Sequence, residues 1–372
     1  MKKHIAVIGR GLIGSAAARH LALAGHQITL IGPAEPVDKA NHDGVFASHY
    51  DEGRITRALD PTLFWSDATV ASIARYADIE MESGMPFFTQ SGAMIAGPME
   101  SSFIKGVASV RDERNITSDR YSEAVLAEAF PYFSFETGTQ AFYEPTMAGH
   151  ISPRRLVEAQ TICAQKTGAV VVDAIALAIT EQSSNVLVST TRGEVEADQV
   201  LVAAGGFANM VLPTAVPIQA YARTVTFFEL SAKEVERLKP MPSLVLCLKD
   251  GRDPYILPPI KYPNGKTYLK IGGDPTDVAL NNVDEMKTWF KSGGTQAVAD
   301  HLTGIVQDFI PDFDFKSRHH EACMTTFTAD DLPLISRQSD RLTVAVAGCG
   351  RGAKCSDELG RIGAELACIS EL

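Results

Sequence analysis

A chain of 372 residues is long enough to bury a sizeable core as one large or two intimately joined domains, and its 45% hydrophobic and 21% charged residues are ordinary for a globular protein. A formal net charge of −11 argues against nucleic acid or an anionic membrane surface as the main partner, while leaving room for a locally positive pocket. No apolar stretch is long enough to span a bilayer and the first strand starts within a few residues of Met1, so the expectation is a cytoplasmic protein without a secretory signal.

The apolar run at 4–8 leads into Gly9-Arg10-Gly11-Leu12-Ile13-Gly14, then a helix predicted over 15–24 and a second strand over 28–31. In this strand-turn-helix pattern each glycine has its own task. Gly9 permits a tight turn, Gly11 lets backbone approach a pyrophosphate, and Gly14 lets the helix pack closely while its first amides face the phosphates. Where a dinucleotide site places Asp or Glu for the ribose hydroxyls, this chain carries Gly32 and Pro33, and Glu35 is the nearest substitute. Helical spacing returns over 63–83, followed by a proline-, aromatic- and glycine-rich stretch over 86–149. Ser152-Pro153 opens a predicted helix to 168, which feeds a strand over 169–172. A hairpin starting at 185 and turning at Arg192-Gly193 precedes a buried strand over 199–203, which ends in Ala204-Gly205-Gly206-Phe207. That second glycine turn lets one sheet contact a large cofactor twice. Residues 221–320 alternate strand-like stretches and prolines with a helical pair near 283–310. A last strand over 342–347 passes through Gly348-Cys349-Gly350-Arg351-Gly352 into a closing helix.

The six cysteines form neither a disulfide framework nor a short CxxC pair, and Cys349 with Cys355 makes at most a weak zinc pair. Cys323, in Glu321-Ala322-Cys323-Met324-Thr325-Thr326, is the informative one. A free cysteine is commonly a small buried hydrophobe, and a reactive thiolate needs a positive field, for which Arg318, His319 and His320 are the nearest cations in sequence. A dinucleotide site at one end and a placed thiol at the other point to a flavin held by both, and so to redox chemistry. Arg54 and Arg57, three apart, have two readings: a solvated helix face, or a site. Lys270 by itself reads as a surface strand lysine, and Asp330-Asp331 as a solvated turn.

Taken together, these motifs resemble the monomeric sarcosine oxidase and N-methyltryptophan oxidase family within the D-amino-acid oxidase superfamily. Ser48-His49-Tyr50-Asp51-Glu52-Gly53-Arg54-Ile55-Thr56-Arg57 is similar to that family's flavin-contacting segment. Cys323 falls on the cysteine that carries the flavin through a thioether, and Thr267 to Gly272 on the strand whose lysine, here Lys270, activates dioxygen. Tyr255 falls on an active-site tyrosine, and Gly350-Arg351-Gly352-Ala353-Lys354 on the late glycine turn whose lysine faces the substrate. The resemblance implies an α/β fold in which a Rossmann-like FAD-binding domain (1–85, 150–215 and 322–372) is interleaved with a substrate domain on a mostly antiparallel sheet (86–149 and 216–321). It implies FAD, covalent through Cys323 and contacted by Gly9, Gly11, Gly14, Ser48, His49, Tyr50, Arg54, Gly205, Gly350, Gly352 and Lys354. Arg57, Lys354, Tyr255 and Lys270 are the implied catalytic residues.

The implied reaction is oxidation of a small-molecule secondary amine or N-substituted amino acid by hydride transfer, giving an imine and, with dioxygen, hydrogen peroxide. The alternatives are a dehydrogenase using another acceptor and a catalytically retired flavoprotein subunit. The expected state is a monomer or small homo-oligomer. Four departures bear on the substrate: Tyr50, Asp274 and Arg351 stand where the family has histidines, and Thr325 where it has a tyrosine. Exchanging titratable or neutral groups for a fixed acid and a fixed base changes what a low-dielectric pocket accepts, so the expected substrate is larger or more polar than sarcosine.

Overall fold

The computed structural model describes residues 2–369. Its first sheet is the one predicted from the glycine turn. His4–Ile8 lies between Gln27–Ile31 and Gln199–Val202, with Val170–Val172 beyond the former and Leu342–Val346 beyond the latter, all parallel; Leu334–Arg337 closes the edge antiparallel. The inner strands are buried on both faces, as continuous apolar runs in a parallel sheet require. The helices Leu12–Leu23, Pro153–Lys166 and Gly352–Cys368 cover one face. A small antiparallel sheet of Ala176–Glu181, Val186–Thr190 and Gly193–Ala197 covers the other, and its first strand is absent from the sequence reading.

A second, nine-stranded sheet, nearly all antiparallel, takes its strands from the regions 93–144 and 219–327. Its long strand Gln219–Glu229, next to the edge, pairs along its whole length with Ser317–Phe327, and this ladder carries Cys323 to the junction with the first sheet. The stretch 86–149, read as proline-, aromatic- and glycine-rich, supplies strands and two helices. Ala93–Pro98 pairs in parallel with Ser243–Leu246, a partner some 150 residues away that no local pattern announces.

The helix predicted over 63–83 is two, Leu63–Ile73 and Tyr76–Ser83, separated at Ala74 and Arg75. Ser152 caps the helix Pro153–Lys166, its side chain accepting from the Arg155 amide. The predicted pair near 283–310 is Val283–Ser292 and Gln296–Phe309, the first ending at Gly293 in the left-handed conformation. Arg54 lies on the short strand Arg54–Thr56 and Arg57 just after it, both away from bulk water, which corrects the solvated-helix reading. Among the described residues no helix is long and apolar enough to cross a membrane.

Candidate active site

A cavity of about 230 Å³ opens where the two sheets meet, lined by residues 9–13, 31–33, 45–50, 174–176, 203–207, 323–326 and 347–350 together with Arg54, Gly352 and Ala353. Of the residues proposed to hold a cofactor, Gly9, Gly11, Ser48, His49, Tyr50, Arg54, Gly205, Cys323, Gly350 and Gly352 line it. Gly14 and Lys354 stand one layer behind. Gly9 has φ +112°, and a Cβ there would lie 2.4 Å from the Ala203 carbonyl oxygen. At Gly14 a Cβ would lie 1.8 Å from the carbonyl oxygen of Gly9, so the helix can sit this close only without a side chain. Ala347 and Cys349 take positive φ (64° and 45°) in the late glycine turn, conformations that non-glycine residues adopt only under surrounding constraint.

No Asp or Glu lines this cavity, whereas Arg10 and Arg54 do, so the pocket is locally basic within an acidic chain. Glu35, the nearest substitute for the missing ribose acid, does not line the cavity, and both of its carboxylate oxygens accept from Arg154, at 2.6 and 2.9 Å. His49 Nδ1 and Thr325 Oγ1 are buried without partners at the cavity wall. Burial, aided by Arg154, Arg10 and Arg54, pushes His49 down to about 3, so it is a neutral ring.

Behind the Cys323 wall lies a charged cluster. The Arg54 guanidinium donates to Cys323 Sγ at 3.5 Å and to the Ser48 carbonyl at 3.3 Å, and its other nitrogen pairs with the Asp51 carboxylate. The cation beside the thiol is therefore Arg54, not the three predicted from sequence. On the strand Ser317–Phe327, Arg318 and His320 alternate to the face opposite Cys323; Arg318 binds Asp300 and Thr303, and His319 stacks on Phe227 at 4.8 Å. Lys270 is buried, 1% exposed, which overturns its reading as a surface lysine. Its ammonium donates to Asp51 Oδ2 and to the Gly53 carbonyl, each at 2.5 Å, and stands 5.5 Å from the Tyr255 ring centre. It does not itself line the cavity. Burial pushes the Tyr255 hydroxyl up to about 12, so it remains a donor.

A second cluster surrounds Arg57. This side chain is 7% exposed, and among the described residues its Nε has no partner and no carboxylate lies within ion-pair distance of its guanidinium. Three carboxylates stand near: Glu144 accepts from the Ala58 and Leu59 amides at 2.9 Å each, Asp60 accepts from Lys354 at 2.9 Å, and Asp253 feels both Arg57 and Arg351. Arg351 lies 3.5 Å from Asp60, 3.0 Å from Asp331 and over the Trp65 ring. Lys354 thus spends its charge on a buried acid, leaving Arg57 as the unsatisfied cation. Asp274 accepts from the Thr224 amide with both oxygens, and burial raises it to about 6. Among the described residues no group of three or more metal-ligating side chains forms.

Residues 4–366 match the family of FAD dependent oxidoreductases known as DAO. The chain belongs to this family. Within it, the chain is 22% identical over 370 residues to N-methyl-L-tryptophan oxidase of Yersinia pestis (strain Pestoides F), covering 98% of this chain and 94% of that one. Two solved structures share the fold. NikD, an unusual amino acid oxidase essential for nikkomycin biosynthesis, superposes with TM-score 0.77 at 18% identity over 99% of this chain and 94% of its own. Glycine oxidase from Geobacillus kaustophilus superposes with TM-score 0.76 at 17% identity over 100% and 96%. The expectation of an α/β FAD-dependent oxidoreductase related to the sarcosine and N-methyltryptophan oxidases is met. The glycine cradle, the basic lining and the orphaned polar atoms of His49 and Thr325 suit this DAO member's dinucleotide. Asp51, Asp60 and Glu144 went unassigned in the sequence. The first two lie inside or beside the arginine motif, where an acid among arginines was the available signal; nothing local marked Glu144.

Proposed function

We propose that this oxidoreductase acts on a secondary amine or N-substituted amino acid, giving an imine, with dioxygen as acceptor and hydrogen peroxide as product. The observation that carries the reading is Arg57: a buried guanidinium with no ion pair among the described residues, which does not itself line the cavity but feels the charge of Arg351 in the late glycine turn. Such a group costs stability unless an anion completes it, and a planar substrate carboxylate can do so through paired hydrogen bonds. FAD bound in the cavity supplies the hydride acceptor. Lys354 holds Asp60, and Asp60 with Asp331 fixes Arg351, so the acid–base pairs build the wall while Arg57 orients the substrate. The concentration of cations disfavours a protonated substrate amine and favours the neutral, reactive form. Tyr255 contributes a hydroxyl that stays protonated. Cys323 is the proposed thioether attachment, with the Arg54 guanidinium in contact with its sulfur. The proposed domain division has its support in the two large sheets, the first drawing on the N-terminal, middle and C-terminal segments.

A second reading, a dehydrogenase with another acceptor, is favoured by one observation: the Lys270 ammonium is bound to Asp51 and the Gly53 carbonyl rather than directed into the cavity. Anaerobic mixing with a panel of N-methyl amino acids and of the matching amines without carboxylates, followed by admission of oxygen, tests both. Bleaching of the flavin by the carboxylate-bearing members and rapid recovery in air supports the oxidase. Bleaching without recovery moves the assignment to the dehydrogenase, and no bleaching removes the amine reading.

A further inference from the structure

We propose that Asp51 is a positioning residue that keeps the buried Lys270 ammonium protonated and fixes its direction behind the Cys323 wall. What this charge does for the reaction rests on the oxidase reading above; the charge itself does not. Asp51 is 5% exposed and its carboxylate is fully engaged. Oδ1 accepts from the Tyr262 hydroxyl and from the Glu52 amide, both at 2.7 Å. Oδ2 accepts from Lys270 at 2.5 Å and pairs with Arg54. Four donors on four lone-pair sites are the environment of an ionised carboxylate, since a protonated one would present a hydrogen to a donor.

The other groups around Lys270 do not replace Asp51. Arg54 is a fixed cation and works against a second charge. Tyr255 and Tyr262 are held protonated by burial, and His150, pushed down to about 4, is neutral. Phe227 and Leu257 are its cross-strand neighbours. Glu321 and Cys323 favour the charge from further off, and Glu321 is itself paired with Lys39 at 3.0 Å. Burial, reinforced by Arg54, drives Lys270 well below the ordinary lysine range, and among the described residues the Asp51 carboxylate is the full negative charge placed at hydrogen-bond distance to oppose it. A small cavity of about 20 Å³, large enough for a single water, touches Asp51, Arg54 and Cys323 on one side and Lys39 and Glu321 on the other.

The test compares the purified wild-type protein, Asp51→Asn, Asp51→Glu, Lys270→Met and the Asp51→Asn/Lys270→Met double variant between pH 6 and 9, without substrate. In Asp51→Asn the Lys270 proton is lost on folding, so the unfolding equilibrium constant should fall by about tenfold per pH unit relative to wild type as pH rises. The flavin absorbance should gain a transition in, or already be past it at the start of, the same window. Asp51→Glu should behave as wild type, and the double variant should lose the added pH dependence. A pH dependence of unfolding in Asp51→Asn equal to wild type, or one that persists in the double variant, overturns the proposal. If Asp51→Asn alone fails to fold, the double variant is expected to recover, and equal failure of both overturns it. Because unfolding reads the lysine whether or not oxygen is the acceptor, failure of the oxidase reading appears separately, as bleached flavin that air does not restore.

Discussion

Arg57 and Gly14 show what single side chains decide here. Replacing Arg57 by Met keeps length and apolar volume but removes the charge-assisted pair worth about 1.5–3 kcal/mol. The expected result is a fall of about 10- to 100-fold in kcat/KM for flavin reduction by a carboxylate-bearing amine, with little change for the same amine lacking the carboxylate. Equal losses on both substrates, measured by anaerobic stopped flow, would remove its assignment as the anion ligand. Gly14→Ala places a methyl 1.8 Å from the carbonyl oxygen of Gly9, a contact that only a backbone shift relieves. That shift should cost most or all of the flavin content, read as the absorbance ratio of purified protein. Cys323→Ser should release into the supernatant, after acid precipitation, a flavin that stays with the wild-type polypeptide; flavin released equally from both makes Cys323 an ordinary half-buried thiol. The glycines and Cys323 were legible because their chemistry is tied to fixed local spacing. Arg54 as the cation beside the thiol was not, because the two meet across 269 residues of sequence.

At the scale of elements, the helices around the first sheet are tied by one buried acid. Asp357, on the closing helix, is 0% exposed and accepts from Arg19 and Gln160 at 2.8 Å each, lies 3.1 Å from His20, and pairs with Arg75. Three helices and the break at Ala74 and Arg75 thereby converge on one carboxylate, and its partners hold it far below the usual carboxylate range despite burial. Because the folded pKa is depressed, this contribution is fully present above the unfolded value near 4 and is lost as pH falls below it. Asp357→Asn leaves buried cations uncompensated and should cost about 3–5 kcal/mol near neutral pH, measured by denaturant unfolding. A loss below 1 kcal/mol would show that the arginines find other partners. A helix start such as Ser152-Pro153 was readable from sequence. The break at Ala74 and Arg75 was not, since Arg75 leaves the helical run to reach Asp357 and Glu358, and that attraction is tertiary. The strands of 86–149 were missed for the same reason: Ala93–Pro98 is buried by Ser243–Leu246, and an isolated six-residue run carries no sign of a partner that distant.

For the whole molecule, the cavity is assembled from segments spread along nearly the entire chain, so holding the cofactor and holding the fold together are linked. That linkage passes through neutral buried histidines. His49 at the cavity wall is pushed to about 3 and His150, on the short strand Gly149–Ile151, to about 4, burial being the leading cause in both. Their folded values lie below the unfolded value near 6.5, so between these limits the unfolded chain binds protons that the native state refuses. Stability should therefore be complete above about pH 6.5 and decline as pH falls toward 4, by up to about 1.4 kcal/mol per pH unit for each ring. Neutralising part of the net charge of −11 acts in the opposite direction, but that repulsion is spread over the surface and screened within about 10 Å at 0.1 M salt, whereas a buried imidazolium has no screening. The histidines are expected to win. Denaturant unfolding at fixed ionic strength, repeated from pH 7.5 to 4.5, should give a falling curve whose slope is reduced in His150→Asn and reduced further in His49→Asn/His150→Asn, with the flavin absorbance losing its folded-state shape at higher pH in wild type as acid is added. If the double variant keeps the wild-type slope, the acid lability belongs to the carboxylate network around Asp357 instead, and the cavity wall is not what couples cofactor retention to the fold.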